Sequence, residues 1–301
     1  IITNEQYNEI IISKMKEMIN YAVDEWYYNP STFTRNEPYS GLRNLGDTCY
    51  LNSVFQQLYH LDQIRHLITT LEFKKEDELK TLQDIFLSMR YTSRPFADTT
   101  SFVETWHDCA NELINPREQQ DAVEFFLSLA NSFPENIKKM FEGEMKHYIK
   151  GIRSDFERTN KEVFYNICVS IKNHRDISSS FKEFIQDKYL HDHEKPNNSQ
   201  MIHTKILKLP EILVIQLNRF EYDQQTMSRK KINNKFEFSK NLNVEKIIDR
   251  ESNESDYLYE LNGIIIHRGV ATGGHYYSYI LKNDGWWCFN DSSVSKANEN
   301  E

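Results

Sequence analysis

The sequence predicts an α+β protein in which a helical segment precedes a segment built on strands. Between residues 49 and 133, apolar residues recur at the spacing of amphipathic helices, as in Val54, Phe55 and Leu58. After about residue 160 the period changes to two, as in residues 163–171. The chain has 301 residues, of which 39% are hydrophobic, so it is long enough to bury a sizeable core.

Individual elements follow in chain order. Thr3 and Gln6 form a capping box, and apolar residues between Tyr7 and Trp26 predict an N-terminal amphipathic helix. A loop over residues 30–40 leads into a turn-rich segment, Gly41 to Leu61. Further helices are predicted around residues 54–59, 79–89, 102–113 and 123–129, a short helix at 181–189, and strands at 163–171, 212–217, 258–267 and 275–281. We expect an active-site cleft between the helical part and the strand part.

The turn-rich segment delivers Cys49 to the first turn of a predicted helix. The peptide dipoles leave partial positive charge at a helix N-terminus, so a thiol there should ionise below the usual pKa near 8.5. A candidate base, His275, lies in the segment Gly273 to Tyr279, and Asn290 and Asp291 follow it. A Cys, a distant His and a later Asn or Asp are typical of papain-type thiol hydrolases, although a single Cys or His is more often a core residue.

Three segments resemble the signature boxes of ubiquitin-specific proteases: the Cys49 segment, residues 119–126, and Gly274-His275-Tyr276. The resemblance covers about residues 41–294, and the sequences of residues 56–59 and 213–220 are most similar to those of the large faf-type enzymes. It implies a papain-like cysteine protease fold with a helical thumb, a β-sheet palm and β fingers. We expect a single catalytic domain over 1–301, with an N-terminal helix and lead-in (1–40), thumb (41–140), fingers (141–215) and palm (216–301).

In many members of that family, two Cys-x-x-Cys pairs in the fingers bind zinc, and this sequence has none. The fingers are therefore predicted to lack zinc ligands. The residues His191, Asp192 and His193 are more typical of a solvated loop, so we predict no metal and no cofactor. Because the chain begins with Ile1, we expect it to be a catalytic region of a longer protein.

The resemblance assigns catalytic roles by position. Cys49 would be the nucleophile, His275 the general base and acid, and Asn290 the residue that orients the imidazole, with Asp291 as the next candidate. Asn44 would donate to the oxyanion together with the backbone N–H of Cys49.

The hairpin after His275 does not fit this triad directly. A turn at Asp284-Gly285 would set Asn290 opposite Tyr279, about 13 Å along the strand from His275 at roughly 3.3 Å per residue. The triad therefore requires a shifted turn or a bulge.

Substrate-binding residues also come from the resemblance. Asp121 and Glu124, next to Gln120, would share a helix face and pair with the arginines of the ubiquitin tail, although an exposed acidic helix is the simpler alternative. Gly273 and Gly274 would allow close backbone approach, and Tyr276 would narrow the channel for the terminal glycines.

Composition limits the partners. A net charge of −9 argues against a nucleic-acid partner. The sequence has no long apolar run of the kind that would indicate a membrane partner. The four widely spaced cysteines favour a reducing cytoplasmic or nuclear compartment. We expect a deubiquitinating thiol isopeptidase that acts on ubiquitin and ubiquitinated proteins. The alternatives are an inactive ubiquitin-binding module and a protease for a related modifier.

Overall fold

The computed structural model describes residues 4–21, 34–74, 77–190, 199–224, 227–249, 257–271 and 273–298. The predicted cap at Thr3, residues 30–33 of the predicted loop and the His191–His193 group lie outside these residues. The chain divides into two compact units. The first unit comprises residues 1–133, 262–269 and 273–301, and the second comprises residues 134–261 and 270–272.

The first unit contains most of the helices and one four-stranded sheet. Its helices are α1 (Asn4–Tyr21), α2 (Cys49–His60), α3 (Asp62–Thr70), α4 (Glu78–Tyr91), α5 (Thr100–Thr105) and α6 (Ala122–Ser132). Its strands are β1 (Gly41–Leu42), β2 (Phe96–Ala97), β13 (Gly263–Val270), β14 (Gly273–Lys282), β15 (Gly285–Asn290) and β16 (Ser293–Lys296). Strands β13 to β16 pair in chain order.

Helix α2 is buried on nearly all sides. Its Phe55 packs edge-on against Phe102 of α5, with ring centroids 4.8 Å apart, and also contacts Phe125 of α6. On another side, the Ser278 hydroxyl of β14 donates to the Ser53 carbonyl at 3.0 Å. The helix that carries Cys49 and the strand that carries His275 therefore belong to one compact unit. The prediction that they lie in separate helical and strand parts, on either side of a cleft, was wrong.

The hairpin between β14 and β15 has a different register from the predicted one. Lys282 pairs with Gly285, so the turn residues are Asn283 and Asp284, and Gly285 has a φ of +116°. The turn predicted at Asp284-Gly285 was wrong by one residue, because the glycine takes its left-handed conformation at the start of the second strand. Each one-residue shift of the turn moves the cross-strand pairing by two residues.

The second unit contains α7 (Glu135–Phe141), α8 (Ile177–Phe184), a 3-10 helix (Glu245–Ile247) and ten strands among the described residues. The strands are β3 (Gly143–Gly151), β4 (Glu157–Phe164), β5 (Ile167–Ser170), β6 (Lys188–Leu190), β7 (Gln200–Lys208), β8 (Ile215–Asn218), β9 (Phe220–Asp223), β10 (Ser228–Lys231), β11 (Asn241–Asn243) and β12 (Leu258–Glu260). The largest sheet has the order β4-β3-β7-β6, and β5 pairs with β8 in parallel. A core that includes Ile167, Val169 and Ile206 lies within this unit.

Two helix predictions had wrong limits. The helix predicted at 181–189 begins at Ile177 instead, because the Asp176 carboxylate caps it by accepting from the Ser179 N–H at 2.7 Å. The helix predicted through Leu113 ends at Thr105, because the Asp108 carboxylate organises the following residues into a turn. No helix within the described ranges combines the length and apolar character needed to cross a bilayer.

Candidate active site

The loop before α2 is held by backbone contacts that fix where the helix begins. The Leu42 N–H donates to the Asp291 carbonyl at 2.8 Å, and the Asp47 N–H donates to the Pro116 carbonyl at 2.7 Å. Gly46 has a φ of +139°, and a Cβ there would lie 2.5 Å from the Pro116 oxygen, so only glycine fits. Cys49 is the first residue of α2, which confirms the predicted placement.

The sulfur of Cys49 is buried and accepts two hydrogen bonds. The side chain is 2% exposed. The backbone N–H of Tyr276 donates to Sγ at 3.4 Å, and the Nε2 amide of Gln119 donates to it at 3.4 Å. Because Tyr276 directly follows His275, the fold brings the two ends of the sequence motif together.

The predicted lowering of the thiol pKa was wrong for the folded chain. Burial raises the pKa of Cys49 above its usual value, and the negative charge of Asp291 raises it further. The hydrogen bonds from Tyr276 and Gln119 act in the opposite direction but do not compensate for burial. A reactive thiolate at this position therefore depends on a proton acceptor and not on the helix N-terminus alone.

His275 is oriented by the residue that the shifted hairpin provides. Its Nε2 donates to the Asn290 side-chain oxygen at 2.6 Å. Ser278 pairs with Phe289, so Asn290 continues the ladder opposite Tyr277, only two residues from His275. This is within diagonal reach across two strands. With Nε2 protonated, the lone pair of the imidazole is on Nδ1.

Asp291 lies between the histidine and two asparagines. Its Oδ2 is 3.8 Å from His275 Nε2 and accepts from the Asn44 amide at 2.8 Å. Its Oδ1 accepts from the Asn52 amide at 2.8 Å. Asp291 has a φ of +50°, a conformation that Asp tolerates better than most residues, and this left-handed bend follows directly on the end of β15.

The side chain of Asn44 is held in place through both its oxygen and its amide. Its side-chain oxygen accepts from the Gly46 N–H at 2.9 Å and from the Thr48 N–H at 3.3 Å, while its amide donates to Asp291. Its amide therefore has one remaining proton with which it can donate.

Asp121 and Glu124 are arranged differently from the prediction. The helix begins at Ala122, so Asp121 lies outside it as the N-cap, where Asp is strongly preferred. Its Oδ1 accepts from the Val123 N–H at 2.8 Å and from the Glu124 N–H at 3.2 Å. Gln120 and Asp121 are half-buried, and Glu124 is exposed in the first turn.

The two glycines before His275 differ in their surroundings. A Cβ on Gly274 would lie 2.4 Å from the His267 ring and 2.5 Å from the Arg268 carbonyl, so glycine is required there. A Cβ on Gly273 would meet no described atom within 4 Å, so the space beside this residue is open. Tyr276 is buried, and its ring packs on His267 with centroids 4.6 Å apart.

Sequence reasoning missed Gln119 and Asn52 as site residues. Gln119 donates to Cys49 Sγ and also to the Gly274 carbonyl at 2.6 Å, so one amide links the Cys49 sulfur to the histidine strand. The motif over residues 119–126 contains Gln119, but its uncharged amide gives no sign of a role in the sequence. Asn52 lies about one helical turn after Cys49, where the sequence alone does not distinguish it from a turn or capping residue.

The described part of the chain contains no group of three or more His, Cys, Asp or Glu side chains arranged to hold a metal. None of the four cysteines, all within the described ranges, forms a disulfide, and Cys109 and Cys168 are exposed.

The family model of ubiquitin carboxyl-terminal hydrolases matches residues 40–301. The chain belongs to this family. Its relatives include ubiquitin C-terminal hydrolase 13 of Arabidopsis thaliana (28% identical, covering 96% of this chain and 28% of the relative) and ubiquitin carboxyl-terminal hydrolase 7 of Drosophila melanogaster (31%, covering 87% and 25%). The probable ubiquitin carboxyl-terminal hydrolase FAF of Drosophila melanogaster is 28% identical, covering 97% of this chain and 14% of the relative.

The expected resemblance to ubiquitin-specific proteases is thereby confirmed, and FAF is one of several relatives at similar identity. The mixed helix and sheet fold agrees with the papain-like α+β class expected for the family. The chain spans about a quarter or less of the length of these relatives.

Proposed function

We propose that this chain is a deubiquitinating thiol isopeptidase domain that cleaves after the C-terminal Gly-Gly of ubiquitin. The observation that carries the proposal is the joint placement of Cys49, His275 and Asn290. The Tyr276 N–H lies 3.4 Å from the sulfur, and His275 donates to Asn290 at 2.6 Å. This arrangement suits proton transfer from the thiol to Nδ1 of the imidazole.

The reaction would begin with transfer of the Cys49 proton to His275. The thiolate attacks the carbonyl carbon of the terminal glycine of ubiquitin, and the imidazolium then protonates the leaving lysine amine. Water, deprotonated by the same imidazole, hydrolyses the thioester and restores the thiol. Since burial raises the pKa of Cys49, the imidazolium is needed to stabilise the thiolate as an ion pair.

Asn290 and Asp291 would have different roles at the imidazole. Asn290 orients the ring through a neutral hydrogen bond. Asp291 supplies the negative charge, 3.8 Å from Nε2, that stabilises the imidazolium. Its bonds to Asn44 and Asn52 hold the carboxylate in place, as the supporting residues of a catalytic group do.

The oxyanion would be stabilised by the Cys49 backbone N–H and by side-chain amides. Asn44 has one amide proton beyond its bond to Asp291, and this bond fixes the plane of the amide group. Gln119 is a second donor in the same region, because its amide already lies 3.4 Å from the reacting sulfur. Each donor aimed at the developing charge is typically worth about 3 to 4 kcal/mol.

The ubiquitin tail would run past the N-terminus of α6. Both cap bonds end on Oδ1 of Asp121, so its Oδ2 can accept from the substrate, and exposed Glu124 adds a second carboxylate for the arginines of the tail. Gln120, Gly273 and Gly274 would line the same path, and buried Tyr276 would restrict it to glycines.

The test is cleavage of a fluorogenic ubiquitin C-terminal amide and of an isopeptide-linked di-ubiquitin by this chain. Wild type is expected to turn over both, and Cys49→Ala neither, while the exposed-cysteine control Cys109→Ala keeps full activity. A folded wild type that binds ubiquitin without cleaving it would favour an inactive binding module. Preferential cleavage of another ubiquitin-like modifier in a competition assay would redirect the substrate assignment.

A further inference from the structure

A cavity of about 430 Å³ lies at the C-terminal end of α2, the end opposite Cys49. It is lined by residues from the end of α2, the start of α3, the end of α4, residues 35–40, and the end of β14 with the turn after it, all within the first unit. This volume is in the range of small-molecule sites and exceeds what a single inorganic anion fills.

Four cationic side chains line the cavity: Arg35, Arg65, Arg90 and Lys282. Asp62 is the one acidic side chain of the lining, and its carboxylate pairs with Arg65 at 2.8 Å. The lining therefore carries an excess of positive charge in a chain whose net charge is −9.

Two of the lining arginines use only part of their donor capacity inside the protein. Arg65 donates to the Tyr59 carbonyl at 3.0 Å, and Arg35 donates to the Met89 carbonyl at 2.9 Å. A guanidinium has five N–H donors, so each keeps donors that an anion can accept from.

Lys282 is the strongest sign that the charge is not balanced internally. Its ammonium lies over the Tyr39 ring, 5.7 Å from the centroid, and among the described residues no carboxylate forms an ion pair with it. Burial lowers the pKa of Lys282, and the positive charge of Arg65 lowers it further, while Asp62 acts in the opposite direction.

His60 adds an unpartnered polar atom. The side chain is 5% exposed and lines the cavity, and its Nε2 has no hydrogen-bond partner among the described residues. Its ring packs on Tyr39, Tyr59 and Phe289. Burial lowers the pKa of His60 well below its usual range, and Lys282 and Arg65 add to this effect, so the imidazole is neutral. Buried polar atoms are normally satisfied by a partner.

We propose that this cavity binds a small organic phosphate, with the phosphate group held by Lys282 and the arginines. A doubly charged phosphate balances several cations at once, and guanidinium groups match its geometry through bidentate bonds. The organic part would lie on the aromatic wall made by Tyr39 and Tyr59.

The proposal is tested by calorimetric titration of the whole chain at constant ionic strength with phenyl phosphate, inorganic phosphate and citrate. We expect saturable binding of phenyl phosphate and weaker binding of inorganic phosphate. Lys282→Met should weaken phenyl phosphate binding by about tenfold or more. The exposed-lysine control Lys139→Gln, which removes the same charge elsewhere, should leave it unchanged.

Three outcomes would overturn the proposal. They are the absence of saturable phosphate binding to folded wild type, equal weakening by Lys282→Met and Lys139→Gln, and binding of citrate with neither phosphate. Thermal unfolding of each variant distinguishes lost binding from lost folding. Should Lys282→Met not fold, Arg90→Gln, at an exposed position of the lining, provides the same comparison with the same expected direction.

Discussion

The two ends of α2 each bury a titratable side chain, but their surroundings have opposite charge. Cys49 at the N-terminal end is near the carboxylate of Asp291, whereas His60, about 16 Å away along the helix axis, is near Lys282 and Arg65. In both cases burial is the largest cause of the pKa shift, and it favours the neutral form.

Both side chains are buried, so burial alone does not define a catalytic group. At Cys49, a histidine, an asparagine and a carboxylate lie in the arrangement that the proposed proton transfer requires. At His60 no such partner exists among the described residues, so the ring stays neutral.

Removing the proton acceptor should have the largest effect. We expect His275→Ala to lower kcat/KM for a ubiquitin C-terminal amide by about 10⁴-fold or more. Removing one member of a set of cooperating catalytic residues costs nearly as much activity as removing all of them. In this variant, alkylation of Cys49 by iodoacetamide should become fast only above the usual thiol pKa, since burial raises it. Fast alkylation at pH 7 in His275→Ala would contradict the role of the ion pair.

The next largest effects should come from the carboxylate and its support. Asn44→Ala is expected to slow turnover by about 10²-fold or more with ubiquitin binding near normal. Asp291→Ala should cost at least as much, because it removes a charge beside the imidazole and also frees Asn44 and Asn52. Steady-state kinetics with a binding measurement separates these outcomes. Unchanged turnover of Asn44→Ala would remove this residue from the oxyanion site.

Gln119 should have a smaller effect that falls on the chemical step. Gln119→Ala is expected to lower kcat by about tenfold, less than Asn44→Ala, because its amide also donates to the Gly274 carbonyl and can contribute only in part to the oxyanion. The neighbouring substitution Gln120→Ala serves as the matched comparison and should mainly raise KM. Equal effects on KM from both substitutions would place Gln119 in substrate binding alone.

At the other end of α2, we expect an effect on stability instead of catalysis. The pKa of His60 is lower in the folded state than in the unfolded state, where it is near 6.5. Its contribution to the free energy of unfolding is therefore complete above the unfolded-state pKa and is lost as the pH falls below that pKa. The loss is about 1.4 kcal/mol per pH unit down to the folded pKa. Between pH 7.5 and 5.5, without phosphate, the midpoint temperature of thermal unfolding should fall more steeply for wild type than for His60→Gln. Parallel slopes would show that His60 does not titrate as described.

Chelation should have the smallest effect. Treatment with EDTA is expected to change neither activity nor thermal unfolding, because this sequence has no Cys-x-x-Cys pair. Loss of folding in EDTA would reveal a metal site, and the His191–His193 segment would then be the first place to examine.

The sequence predicted the local features of the site better than its connections. Cys49 at a helix start follows from turn residues and helical periodicity, and its position agrees with the structure. The hairpin register was mispredicted because a one-residue choice of turn, at Asn283-Asp284 or Asp284-Gly285, moves Asn290 by two positions. Such choices depend on tertiary contacts of both strands.

Long-range polar contacts were the least predictable part of the site. The bond between Asn44 and Asp291 spans 247 positions, and the contact of Gln119 with Cys49 spans 70. Neither amide carries a charge or a periodic signal. The cationic cavity was also invisible in the sequence, because its residues come from five separate segments.

The most direct test is labelling of the chain with ubiquitin that carries a C-terminal electrophile, followed by mass mapping of the modified residue. We predict a single adduct on Cys49 in wild type, an unchanged adduct in Cys288→Ala and no adduct in folded Cys49→Ala. An adduct on another residue, or none on folded wild type, would contradict the assignment of Cys49 as the nucleophile of a deubiquitinase.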